Sequence, residues 1–103
     1  MKIIFNLINK KQKIEAYGKI GETIMDLAKR YNISEIKGVC GGNLSCATCH
    51  VVLKNHKELW DKSIIEEDML FTLSEPYPLE NSRLSCQIIL DKSMEGLEVM
   101  VVN

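Results

Sequence analysis

The first seventeen residues alternate between apolar and polar side chains in two stretches. Ile3, Phe5 and Leu7 fall on one side of the first stretch, and residues 13–17 alternate again after the polar sequence NKKQ. Because successive side chains of a strand point to opposite faces, this alternation predicts half-buried strands. Two such stretches separated by a short polar segment predict an opening β-hairpin.

Helical spacing replaces alternation in two later segments. Thr23 with Asp26 three residues on resembles a capping box, and Ser63 with Glu66 repeats the pattern at the start of a segment that ends before Pro76. Apolar residues recur three and four apart in both segments, which predicts two amphipathic helices. In the first helix Ile20, Ile24, Leu27, Ala28 and Tyr31 form one apolar stripe that we expect to cover a face of the sheet, and the second helix carries Ile65, Met69, Leu70 and Leu73.

Short apolar runs predict the remaining elements. HVVL after the cysteine-rich segment predicts a strand, residues 57–63 predict a helical turn that carries Trp60, and SCQIIL and LEVMVV predict two closing strands. Strands and helices are mixed rather than regularly alternating. We therefore expect one α+β domain over residues 1–103, in which a helix packs on a single mixed sheet.

Composition bounds the class of protein. Hydrophobic residues at 46% and charged residues at 26% are ordinary globular values. A net charge of −1 argues against strong binding to nucleic acid or to a membrane surface. No apolar run approaches the roughly 18 residues of a membrane span, and the N-terminus becomes charged too soon for a secretory signal. We expect a soluble, non-secreted monomer in the bacterial cytoplasm or an organelle matrix.

Charge is unevenly distributed along the chain. Residues 57–80 carry a net charge of −5, whereas the remainder carries +4. This separation predicts a polarised molecule with one acidic surface.

The stretch GVCGGNLSCATCH holds three of the four cysteines, with the spacing C-x5-C-x2-C, and Cys86 follows later. Disulfides are disfavoured, because a chain with a sufficient core and no export signal has little need of them. Zinc sites built from four cysteines usually present two C-x2-C pairs, and here there is one. A thioredoxin-like dithiol in CATC would leave the other two cysteines idle.

The favoured interpretation is a [2Fe-2S] cluster held by four thiolates. Its formal charge is about −2 when oxidised and about −3 when reduced, so it needs converging hydrogen-bond donors. Gly38, Gly41 and Gly42 allow a backbone with positive φ whose N–H groups converge on an anion, and Ser45 and Thr48 supply hydroxyls.

GVCGGNLSCATCHVVL, EEDML and SRLSCQIIL resemble the adrenodoxin-type [2Fe-2S] ferredoxins, which include the bacterial and mitochondrial iron-sulfur-assembly ferredoxins. Plant-type ferredoxins have one residue fewer between the first two cysteines. The resemblance implies a β-grasp fold with a cluster-binding loop. By position, the cluster ligands are Cys40, Cys46, Cys49 and Cys86.

The resemblance also implies an electron carrier rather than an enzyme. It would accept one electron from an NAD(P)H-dependent flavoprotein ferredoxin reductase and deliver it to an acceptor protein. His50 and Arg83 match a histidine and an arginine of the family. We expect His50 to form hydrogen bonds rather than ligate iron, and Arg83 either to pair with a carboxylate or to contact a partner.

The acidic run Glu66, Glu67 and Asp68 has two interpretations. Negative charge is favourable in the first turns of any helix. In the family this helix docks on basic partner surfaces, and the acidity of residues 57–80 favours that second interpretation.

The chain departs from the family around this run. Members with haem acceptors carry acids where this chain has Ile64, Ile65 and Phe71. We therefore favour electron supply to iron-sulfur cluster assembly, with a haem monooxygenase as the alternative acceptor. A structural zinc-binding interaction domain is a more distant alternative.

Overall fold

Within the part of the chain that the structure describes, a five-stranded mixed sheet is accompanied by two α-helices and short 3-10 turns. The structure, a computed structural model, describes residues 1–33, 36, 50–73 and 80–101, and the backbone alone at 69 and 71–73. The named elements are β1 (Lys2–Leu7), β2 (Gln12–Tyr17), α1 (Ile24–Arg30), β3 (His50–Leu53), α2 (Ile64–Leu73), β4 (Ser82–Leu84) and β5 (Leu97–Val101). Strand order is β2-β1-β5-β3-β4, and β1 and β5 are the parallel pair.

The predicted hairpin is confirmed. β1 and β2 pair antiparallel from Lys2 opposite Tyr17 to Leu7 opposite Gln12. Ile3, Phe5 and Leu7 are buried, as their alternation indicated. The parallel pairing of β1 with β5 places this hairpin at one edge of the sheet and β4 at the other.

The first helix begins where its cap predicts. The Asp26 amide donates to Thr23 Oγ1 at 3.0 Å, and the buried face includes Ile24, Leu27 and Ala28. The prediction for Ile20 was wrong, since its side chain is 64% exposed. The cap at Thr23 starts the helix after Gly21, whose φ of +90° turns the chain and leaves Ile20 in the preceding loop.

The second helix also has its predicted cap, with the Glu66 amide donating to Ser63 Oγ at 3.1 Å. Of the residues at the start of this helix, Ile65 is 64% exposed, whereas Glu66 and Leu70 are buried. Glu66 and Leu70 lie four residues apart and share a face. The side chains of Met69 and Leu73 lie outside the described part of α2.

The closing strands follow the prediction only in part. β5 alternates buried Leu97, Val99 and Val101 with half-buried residues, as expected. SCQIIL is not a strand, since residues 85–87 form a 3-10 turn and β4 lies just before them. β4 ends at Leu84, which pairs with His50 of β3.

The core lies between the sheet and the helices. Its largest buried side chains come from β1, α1, β3, α2, β5, Ile36 and the segment from Leu84 to Leu90. α1 packs on the turn at residues 85–87, and α2 packs on β4. The arrangement is the predicted α+β class with one mixed sheet, and no helix in the described ranges is long and apolar enough to cross a membrane.

Candidate metal centre

Cys86 lies in the 3-10 turn that follows β4. Its side chain is buried, with 6% exposed, and Gln87 Nε2 donates toward its Sγ at 3.4 Å. Since His50 pairs with Leu84, the start of β3 lies at the same end of the sheet as the end of β4, which leads into Cys86. A hydrogen-bond donor on a buried sulfur favours the thiolate form that a metal requires.

The other three predicted ligands, Cys40, Cys46 and Cys49, lie outside the described residues, as do the glycines and hydroxyls of their loop. Their assignment as ligands stays a prediction. Within the described ranges no three His, Cys, Asp or Glu side chains cluster as a metal site.

Two buried polar atoms flank the same end of the sheet. His50 is 1% exposed, and its Nε2 lies 2.9 Å from Ser82 Oγ. His50 Nδ1 and Ser85 Oγ are both buried with no hydrogen-bond partner in the described part of the chain. Burial lowers the pKa of His50, so the ring is held neutral.

These groups are compatible with an anionic cluster. A neutral imidazole and a hydroxyl can each donate one hydrogen bond. In the sequence His50 directly follows the predicted ligand Cys49, and Ser85 directly precedes Cys86. Buried donors need acceptors, which sulfur-rich anions provide. The residues described here therefore fit a [2Fe-2S] group.

A buried ion pair fastens α2 beside this site. Arg83 Nε and Nη2 donate to the two carboxylate oxygens of Glu66 at 2.7 and 3.1 Å. The Leu84 amide donates to Glu66 Oε2 at 2.9 Å, and Arg83 Nη1 donates to the Leu59 carbonyl at 2.6 Å. Because Leu84 lies two residues before Cys86, this network fixes α2 relative to the turn that carries the cysteine.

The pair corrects one predicted role. Glu66 is 2% exposed, so its carboxylate cannot contact a docking partner, and we remove it from the predicted docking residues. Arg83 braces the approach to Cys86 by pairing with a carboxylate, which was one of its two expected roles. Glu67 and Asp68 are exposed on the same helix.

Sequence reasoning missed the partners of these groups. The inward position of Glu66 had a signal, since Glu66 lies four residues before Leu70 and thus on the same helix face. The contact of His50 with Ser82 had none, because it depends on the pairing of β3 with β4.

Comparison with known proteins gives consistent matches. Residues 7–91 match the family described as 2Fe-2S iron-sulfur cluster binding domain. The mitochondrial Ferredoxin-2 of Xenopus laevis is 47% identical over 90 residues, which cover 84% of this chain and 45% of that protein. The chain spans about half the length of the first curated relatives it matches.

Solved structures agree in fold. The crystal structure of ferredoxin from Rhodopseudomonas palustris HaA2 superposes with a TM-score of 0.87 at 32% identity, covering 98% of this chain and 95% of that one. A chain of the covalent putidaredoxin reductase–putidaredoxin complex gives a TM-score of 0.84 at 34% identity, covering 98% and 97%. The predicted β-grasp ferredoxin fold is confirmed. The chain thus belongs to the adrenodoxin-type [2Fe-2S] ferredoxins, a family of electron-transfer proteins with one [2Fe-2S] cluster.

Proposed function

We propose that this protein is a one-electron carrier whose cluster is held by Cys40, Cys46, Cys49 and Cys86. The observation that carries the proposal is Cys86 itself, a buried thiol with an amide donor on its sulfur at the end of the sheet. Of the four cysteines it is the one within the described residues, and its setting suits a metal-bound thiolate.

When bound, the cluster supplies reversible one-electron chemistry. The chain's own residues hold and tune it. The Gln87 amide stabilises negative charge on the Cys86 sulfur, and donors of this kind favour the more negative reduced state. Leu84 and Ile88, on either side of the turn, are buried in the same hydrophobic cluster as Cys86.

The proposed electron donor is an NAD(P)H-dependent flavoprotein ferredoxin reductase. Similarity to a chain solved in a covalent complex with putidaredoxin reductase supports this class of partner. The proposed docking residues are Glu67 and Asp68, which are exposed on α2. Exposed carboxylates attract a basic partner surface and raise the rate of encounter.

The proposed acceptor is the iron-sulfur cluster assembly machinery. Its support is the start of α2, where Ile64 is 81% and Ile65 64% exposed at positions that carry acids in members with haem acceptors. An apolar surface at this place disfavours docking by charge alone. A haem monooxygenase remains the alternative acceptor.

The cofactor is tested by metal and sulfide analysis of anaerobically purified protein. We expect about two irons and about two sulfides per chain, with visible absorption bleached by dithionite. Cys86→Ser should lose that absorption, because a serine hydroxyl is a poor ligand for a cluster built on thiolates. Stoichiometric zinc without sulfide, or an unchanged spectrum in Cys86→Ser, would contradict the ligand assignment.

The acceptor is tested by reconstituting both pathways with the same reductase. Reduced protein should drive cysteine-desulfurase-dependent cluster formation on a scaffold protein. If it drives haem monooxygenase turnover and leaves assembly unchanged, the preference for assembly is wrong.

A further inference from the structure

Two isoleucines at the start of α2 point into solvent. Ile64 is 81% and Ile65 64% exposed, and within the described residues Ile64 is the most exposed large hydrophobic side chain. β-branched residues are also mediocre helix formers. Neither core packing nor helix propensity therefore accounts for two isoleucines here.

Acidic side chains border this pair. Glu67 and Asp68 are exposed, and they lie three and four residues after Ile64, so they occupy the same side of the helix. Glu58 and Asp61 are exposed just before the helix. An apolar centre with a charged rim is the usual composition of a protein–protein interface.

The position of the pair indicates what binds it. The side chain of Glu66, between Ile65 and Glu67, is buried, and its carboxylate accepts hydrogen bonds from Arg83 and the Leu84 amide. That network ties α2 to the strand that ends two residues before Cys86. A protein docked on Ile64 and Ile65 is thus held at a fixed place relative to the proposed cluster ligand, as electron exchange requires.

We propose that Ile64 and Ile65 form the apolar centre of the docking surface for the redox partner, a protein that presents an apolar patch bordered by basic side chains. The inference rests on the proposed electron-carrier function and specifies its partner. The negative rim of Glu67 and Asp68 is complementary to the basic border. Affinity then depends mainly on apolar burial, which salt does not screen, while the acids mainly set the rate of encounter.

The test compares Ile64→Gln/Ile65→Gln with the wild-type protein and with Ile8→Gln. Ile8 is 48% exposed in the hairpin turn, which lies at the opposite edge of the sheet from β4. The probe is the flavoprotein reductase that reduces the wild-type protein with NAD(P)H. We expect the double variant to raise KM for the carrier about tenfold at both low and high salt, with kcat unchanged, and Ile8→Gln to match the wild type.

Iron content and visible spectrum should stay the same in all three proteins, and Ile64→Ala/Ile65→Ala repeats the test with a better helix former.

An unchanged KM in the presence of normal wild-type reduction would overturn this inference and leave the electron-carrier function standing. A change that disappears at high salt would also overturn it. If light scattering shows that the wild type self-associates and the double variant does not, the surface joins copies of this chain and the inference is wrong. A wild-type protein that no reductase can reduce would overturn the proposed function and the inference together.

Discussion

The two helices begin with the same capping hydrogen bond but differ in which residues of their first turn are buried. Thr23 and Ser63 each accept a hydrogen bond from the backbone amide three residues on. In α1 that third residue, Asp26, is exposed and the apolar residues beside it face the core. In α2 the third residue, Glu66, is buried and the two isoleucines before it face solvent. The same capping pattern therefore opens a purely structural helix and a helix that presents an apolar surface.

Each helix also takes part in a bidentate Arg–Glu ion pair. Arg30 donates to both carboxylate oxygens of Glu22 at 2.9 Å, and the two side chains are 39% and 14% exposed. Arg83 donates to both carboxylate oxygens of Glu66, and those two side chains are 10% and 2% exposed. Similar geometry near the surface and in the core has different consequences, because solvent screens the first pair more than the second.

The largest expected effect is at the buried pair. Glu66→Gln leaves the Arg83 guanidinium buried without its counter-charge, which should cost about 3 kcal/mol or more of unfolding free energy. Urea unfolding followed by circular dichroism measures it, with Glu22→Gln as the matched control. Equal losses in the two variants would contradict the distinction between the helices.

A double variant separates charge from packing at the same place. Glu66→Leu/Arg83→Met removes both charges and should recover much of the lost stability, because apolar residues of similar volume often replace buried pairs without loss. Continued instability in this variant would indicate that the Leu84 amide, left without its acceptor, matters more than the ion pair.

An intermediate effect is expected on the exposed side of α2. Glu67→Lys/Asp68→Lys should slow association with the reductase about tenfold at low salt and much less at high salt, because the rim charges act through a screened field. Asp26→Lys is the control, since it reverses an exposed acid in the first turn of α1. Stopped-flow reduction measures both, and an equal slowing in the control would indicate a general charge effect.

The smallest effect is expected at the exposed pair and depends on pH. The hydrogen bond from Arg30 holds the pKa of Glu22 below its ordinary value of 4.5. A carboxyl with a lowered folded-state pKa contributes stability above the unfolded pKa, and that stability is lost as pH falls through the folded value. The small difference in melting temperature between wild type and Glu22→Gln should therefore shrink below pH 4.5, whereas a difference that grows on acidification would contradict the pairing.

Much of the fold could be predicted from the sequence. Alternation in β1 and β5 predicts their buried sides, and the capping patterns at Thr23 and Ser63 predict where both helices begin. Such signals are local, since they depend on the periodicity of a strand or helix and on one nearby hydrogen bond. The cysteine spacing likewise indicates the cofactor, because four cysteines can supply the four thiolates that hold the clusters of ferredoxins.

Predictions that needed more than local periodicity were less successful. Ile20 satisfies helical spacing but lies in solvent, because the turn at Gly21 leaves it outside α1, and residues 85–90 have strand composition but begin with a 3-10 turn. The burial of Glu66 depends on Arg83, which lies seventeen residues later in the chain.

By itself, then, the sequence determined the class of fold, the helix starts and the kind of cofactor, because these depend on short-range periodicity and on ligand chemistry. Only the tertiary structure decided which acidic residues of α2 are buried and which are exposed. Glu66 is buried in an ion pair with Arg83 of β4. Ile64 and Ile65 therefore lie on the exposed part of α2 with Glu67 and Asp68. The physical reason is that a helix can bury only one face, and a buried carboxylate with a guanidinium partner fixes which face it is.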